Sequence, residues 1–235
     1  MRAYDRGVAR PLRLMIYDAT CTRDLPWPRP SKPGLLRKLH DGLEVVPIPG
    51  LSHFWAGGGL LYAGLRRIDR FAGFTSWESA LRWLAEIEPS RTIAEIQFWG
   101  HGKWGAAKID RESLDVEALA PDHRLRLPLE AVRERLDHAG ALWWFRTCET
   151  FGAEPGQTFA REWTEFFGCR AAGHTYVIGP WQSGLHTLEP GETPRWSVAE
   201  GLIAGTPDDP RAARWSRVGE PNTISCLQGR IPAGF

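Results

Sequence analysis

The sequence predicts an α/β fold, a single mostly parallel sheet flanked by helices on both faces. Three observations carry this. Apolar runs of strand length recur along the chain: "LRLMIYDA" (12–19), "TIAEIQFW" (92–99), "ALWWFRT" (141–147) and "CRAAGHTYVIG" (169–179). Amphipathic segments of helical period lie between them, and strands alternating with helices build parallel sheets. The chain has 235 residues and is 43 % apolar, enough for a sizeable buried core.

Residues 12–19 read as a buried strand that ends in Asp18. The following stretch, 20–34, spaces four prolines between 26 and 33 and must be a loop. Its Arg and Lys residues make it a nicking site. "GLLRKLHDG" (34–42) reads as a short helix and "LEVVPI" (43–48) as a second strand, with Pro47 at its end or edge. Residues 52–72 stay open, because three glycines at 57–59 oppose a helix. In "TSWESALRWLAEIEP", Thr75 and Glu78 match a capping box, and Ala80, Leu81, Leu84 and Ile87 form one apolar face before Pro89. After the strand at 92–99, residues 103–127 read as a small hairpin and a turn. "PLEAVRERLDHAG" (128–140) is a helix with Pro128 in its first turn and Gly140 past its end. "GQTFAREWTEFFG" (156–168) is another, with Phe159, Ala160, Trp163, Phe166 and Phe167 on one face. Residues 180–235 read as loops and one short apolar segment, "SVAEGLIAG", wrapped on the same domain, 1–235.

Composition excludes several function classes. The formal net charge is +1, from 29 basic and 28 acidic residues. Without a basic face there is no expectation of nucleic acid, and without a polybasic block none of anionic lipid. No apolar run is long enough to span a membrane. The first residues lack the apolar core of an export signal, so the expected location is cytoplasmic. The four cysteines, at 21, 148, 169 and 226, are dispersed, which argues against a disulfide framework and against a metal site. No cofactor is expected. The twelve tryptophans read first as core and cleft filling.

Open α/β sheets bind ligands outside the carboxyl ends of their strands. That rule selects Asp18, His101, Cys148 and Gly179. If the strands before His101 and Cys148 are neighbours, about 4.8 Å apart, a thiol and an imidazole share one rim. They are the minimum for nucleophilic catalysis on a carbonyl. In "FWGHGKWG" (98–105), Gly102 frees a backbone N–H to face an oxyanion, and the Cys148 N–H is the second candidate donor. Trp181, His186 and Trp196 follow the fifth strand and are candidate pocket walls, Trp181 being the substrate-binding choice. His174 reads as mid-strand and is the reserve base. Glu149 reads as a cap or a solvated carboxylate beside the thiol. No G-x-S-x-G elbow supports a serine hydrolase.

"FWGHG" followed by "WWFRTCETFG" resembles the His-Gly and Cys blocks of the caspase-like cysteine peptidases, and "CETFG" is similar to the Cys-Glu-Thr-Gly of bacterial CHAT-type members. The two blocks place His101 and Cys148 47 residues apart, close to the roughly 50 of caspases. The resemblance covers residues 92–179. Thr147 and Phe151 depart from it. It implies a caspase-like fold, His101 as base, Cys148 as nucleophile, Gly102 in the oxyanion hole and a peptide or protein substrate. It also implies that Asp18 faces the pocket for the residue before the cut bond and selects Arg or Lys there. Two other readings stay open: a caspase-like scaffold that binds without catalysis, and a hydrolase or acyltransferase acting on other esters or amides.

Overall fold

A computed structural model describes residues 10–22, 50–138 and 140–235. The helix expected at 34–42, the strand expected at 43–48 and most of the proline-rich loop lie outside the described residues. The six-stranded sheet has the order β10-β8-β7-β3-β1-β2. Strands β1 (Leu12–Asp18), β2 (Arg70–Phe74), β3 (Ile93–Trp99), β7 (Leu142–Arg146) and β8 (Arg170–His174) run parallel. β10 (Leu185–Leu188) closes one edge antiparallel to β8. The predicted α/β class, a mostly parallel sheet, is therefore what the chain forms.

Alternation along the strands sorts the two faces. Leu14, Ile16, Ile96, Phe98, Trp143 and Phe145 join one core with residues of α2 (Trp77–Glu86), α3 (Arg126–Arg133) and α4 (Ala153–Phe167). Trp163 packs edge-on against Trp143 and Phe145 at 4.9 and 5.2 Å between ring centroids. Each such side chain contributes roughly 1.5–3 kcal/mol by leaving water. The other face carries Met15, Trp99, Trp144 and Ala172, and is covered by α1 (Leu51–Gly64) and by the C-terminal segment through Ile224, Ile231 and Phe235.

The glycines at 57–59, read as opposing a helix, lie inside α1. A Cβ on Gly58 would lie 2.6 Å from Trp99, and one on Gly59 would lie 2.5 Å from Phe71. Without side chains there, the helix settles against β2 and β3, and packing outweighs propensity. β2, "RFAGF", which begins within the stretch left open, pairs in parallel with β1. The N-cap of α2 is Ser76, whose hydroxyl accepts from the Ser79 N–H at 3.3 Å, not Thr75. α3 stops at Arg133, short of the predicted Gly140, because the next residues leave the helix to bond β3: the Ile93 N–H donates to Arg135 O and the Asp137 N–H to Ile93 O. β8 ends at His174, not at Gly179, so His174 stands at the strand end. After it come β9 (Trp181–Gln182), β10, the hairpin β11 (Leu202–Gly205) and β12 (Pro210–Ala213), and β13 (Ile224–Ser225), more strand than the expected single element. Among the described residues no helix is long and apolar enough to cross a membrane.

Candidate active site

β3 and β7 are paired neighbours, with Trp99 opposite Arg146. His101 and Cys148 therefore leave the sheet side by side at its carboxyl rim. His101 opens β4 (His101–Lys103), the first strand of a meander with β5 (Ala106–Ile109) and β6 (Glu112–Leu114). This is the small hairpin expected at 103–127, begun two residues earlier. Cys148 starts the turn 148–152 that leads into α4.

Gly102 seats one loop on the other. A Cβ there would lie 2.6 Å from the Cys148 carbonyl oxygen and 2.7 Å from the Thr147 Cβ, and would also strike the Thr150 hydroxyl. Only glycine permits the approach. Gly105 continues the contact, its N–H donating to Thr150 O at 3.1 Å. The Thr147 and Thr150 hydroxyls bond each other across the turn, which gives Thr147 a structural use in place of a small residue. Phe151, the other departure from the caspase-like pattern, points into the core and stacks on Trp196 at 5.7 Å.

Two details of the turn bear on chemistry. Glu149 has φ 56°, a left-handed conformation that is uncommon outside glycine, next to the thiol. Burial raises the pKa of its carboxyl and Lys103 partly offsets this. The Cys148 N–H donates to no backbone carbonyl among the described residues, which suits an oxyanion donor.

The Cys148 thiol rests against Ile178. It accepts from the Ile178 N–H at 3.4 Å and donates to Ile178 O at 3.8 Å. His101 meets Trp55 of α1 edge to face at 5.3 Å. No hydrogen bond joins His101 to Cys148 among the described residues. An imidazolium beside a thiol would lower its pKa. The structure places the thiol the other way: burial, with the Glu149 charge adding, pushes it from an ordinary 9.0 to about 11, against the opposing Ile178 N–H. The fold thus favours the protonated thiol, and ionising it between pH 9 and 11 costs stability. Alkylation of Cys148 by iodoacetamide, read by peptide mapping, should rise about tenfold per pH unit from neutral pH with no plateau below pH 9. A plateau near pH 7 would show a thiolate already held by His101.

Asp18 lies fully buried at the end of β1. Its Oδ1 accepts from the Thr20 N–H at 2.8 Å and the Thr20 hydroxyl at 2.6 Å, an Asx-type turn. Its Oδ2 is buried without a hydrogen-bond partner among the described residues. Ser52, in the first turn of α1, donates to Asp18 O at 2.8 Å. One helix end therefore touches both Asp18 and, through Trp55, His101. Nothing in the sequence signalled this role for α1.

Trp181 is 44 % exposed and sits two residues past Gly179, whose N–H donates to Trp181 O. Trp196 and His186, stacked on each other at 4.7 Å, both line a cavity of about 350 Å³, and Trp196 also stacks on Phe151. His186 bonds Glu200 at 2.7 Å. His174, the reserve base, is fully buried. Burial and the nearby Arg146 charge push its pKa down to about 3, and its Nδ1 meets Ser183 O at 3.1 Å. A neutral imidazole locked in the core is poorly placed to relay protons at the rim.

Sequence reading missed Arg146. It is buried, and its guanidinium donates to the Gln182 Oε1, the Tyr62 hydroxyl and the carbonyls of Cys226 and Gln228. It also stacks over Trp99 at 4.6 Å and Trp144 at 4.4 Å. It ties α1, β7, β9 and the C-terminal segment together two residues before the Cys148 turn. No protein-family model matches the chain, and no curated protein or solved structure matches it.

Proposed function

We propose that this chain is a cysteine-dependent hydrolase of peptide bonds, with Cys148 as nucleophile and His101 as base. The observation that supports it most is the seating of Gly102 on the Cys148 turn at the shared rim of β3 and β7. In this reading the thiol turns from Ile178 towards His101 and gives it a proton. Sulfur then bonds the substrate carbonyl carbon, and the oxyanion faces the N–H groups of Gly102 and Cys148. His101 returns the proton to the leaving amine as the C–N bond breaks. A water deprotonated by His101 hydrolyses the thioester and frees the thiol. Burial of the resting thiol fits an enzyme that becomes active only when substrate displaces Ile178 from it.

The unpartnered Oδ2 of Asp18 supports a basic residue before the scissile bond, because a guanidinium can satisfy a buried carboxylate by charge-assisted hydrogen bonds. A panel of fluorogenic peptides with Arg, Lys, Asp or Leu at that position tests this. Wild type is expected to prefer Arg or Lys by at least about tenfold, and Asp18→Ala to lose that preference. Cleavage after Asp or Leu, or an Arg preference that survives the substitution, removes Asp18 from the pocket. No cleavage of any peptide, with Cys148 unreactive to peptidyl electrophiles, leaves the non-catalytic scaffold as the better reading.

A further inference from the structure

A groove of about 480 Å³ opens between the meander and the start of α4. Its walls are Trp104, Ala106, Val116 and Pro155, and its rim carries Asp115, Glu117, Glu154 and Asp208. Among the described residues the lining includes no Lys, Arg or His. The volume falls in the range of ligand sites.

This groove is built into the catalytic loops. Trp104 and Gly105 follow β4 directly. A Cβ on Gly105 would lie 2.6 Å from Pro155 O, and one on Gly152 would lie 3.2 Å both from Trp104 and from Glu149 O. The wall of the groove is thus continuous with the turn that holds Cys148.

Beyond the rim stand one carboxyl, Glu149, and one cation, Lys103. Glu149 is only 8 % exposed, and its carboxylate has no hydrogen-bond or ion-pair partner among the described residues, its backbone N–H and carbonyl being used by Tyr176 and Gly152. The cation acting on it is Lys103, whose ammonium lies over the Trp104 ring at 4.6 Å. That contact shows the indole already serving as a seat for a cation. The helix N-terminus beside the groove does not offer its first N–H groups to an anion, because Glu154 N–H donates to Pro207 O and Gly156 N–H to Gly152 O. Apolar walls suit the methylene stem of a long side chain, and the carboxylates suit its charged head.

We propose that this groove seats an arginine or lysine side chain of the polypeptide engaged at the Cys148 turn, as a second basic subsite distinct from Asp18. Calling that polypeptide a substrate rests on the hydrolase reading; its binding does not. The test uses the full chain carrying Cys148→Ala, so that no cleavage occurs. Fluorescence anisotropy follows a labelled peptide with two arginines separated by alanines, beside the same peptide with both arginines replaced by citrulline.

The arginine peptide is expected to bind about tenfold more tightly at low salt, with the difference shrinking in 0.5 M NaCl. The pair Glu117→Gln and Glu154→Gln, both at exposed positions, should remove most of that difference, and Trp104→Ala should weaken binding several-fold, at unchanged melting temperature. Equal binding of the two peptides overturns the proposal. So does an arginine preference that persists in the Gln pair and disappears in Asp18→Asn, which assigns the cation to the end of β1. Binding that follows this pattern in a chain whose wild type cleaves nothing upholds the groove and overturns only the hydrolase reading.

Discussion

His101→Ala is expected to slow peptide hydrolysis by about 10²–10⁴-fold, the range for loss of a positioned acid–base group. The fold should survive. His101 begins the meander after β3 has ended, and its ring is partly exposed, touching Trp55 edge-on. Loss of that contact costs about 1 kcal/mol. The melting temperature should therefore shift by only a few degrees. Cys148→Ala should abolish turnover entirely, and the double variant should be no slower than Cys148→Ala, because the two groups act as a unit. The readouts are initial rates on the best peptide of the panel and a thermal melt of each variant. Full activity in His101→Ala would remove the imidazole from the reaction. A melt that collapses together with the rate would show that its role is structural.

Arg146→Ala is expected to be the most damaging substitution for stability, by about 3–5 kcal/mol. The guanidinium is buried and its loss orphans the Gln182 amide oxygen, the Tyr62 hydroxyl and two carbonyls at once. Two indole faces also lose their cation. Those acceptors lie on α1, on β9 and on the segment after β12, so the damage should spread there. Urea melts give the magnitude. Limited proteolysis should release the C-terminal segment sooner in the variant than in wild type. Arg146→Met keeps the stem over Trp99 and Trp144, and should recover part of the loss. An unchanged midpoint in Arg146→Ala would mean that water replaces the guanidinium without cost.

The helices and strands most legible in the sequence were those with a strong local period. β3, β7 and α4 carry apolar residues at spacings of two or of three to four, and their type needs no partner to declare it. Elements whose shape depends on a neighbour were not legible. The three glycines of α1 count against a helix locally, and favour it once Trp99 and Phe71 are near. The end of α3 is set by Ile93, and the end of β8 by the segment that returns to pair as β10.

The site divides the same way. By itself the sequence determined that His101, Cys148 and Asp18 stand at carboxyl ends of strands, because strand periodicity and a parallel sheet leave them no other place. It also determined that Gly102 is special, since a glycine after a rim histidine marks a close approach of backbone. Tertiary structure alone decided the state of the thiol and the use of the carboxylates. Cys148 lies against Ile178, 30 residues further on, and burial raises its pKa, whereas one-dimensional reading saw only a thiol and an imidazole 47 residues apart. The acidic groove is assembled from residues 104–117, 154–158 and 208. Its field exists only after folding, because charge acts through space and the chain brings these residues together only when the meander packs against α4.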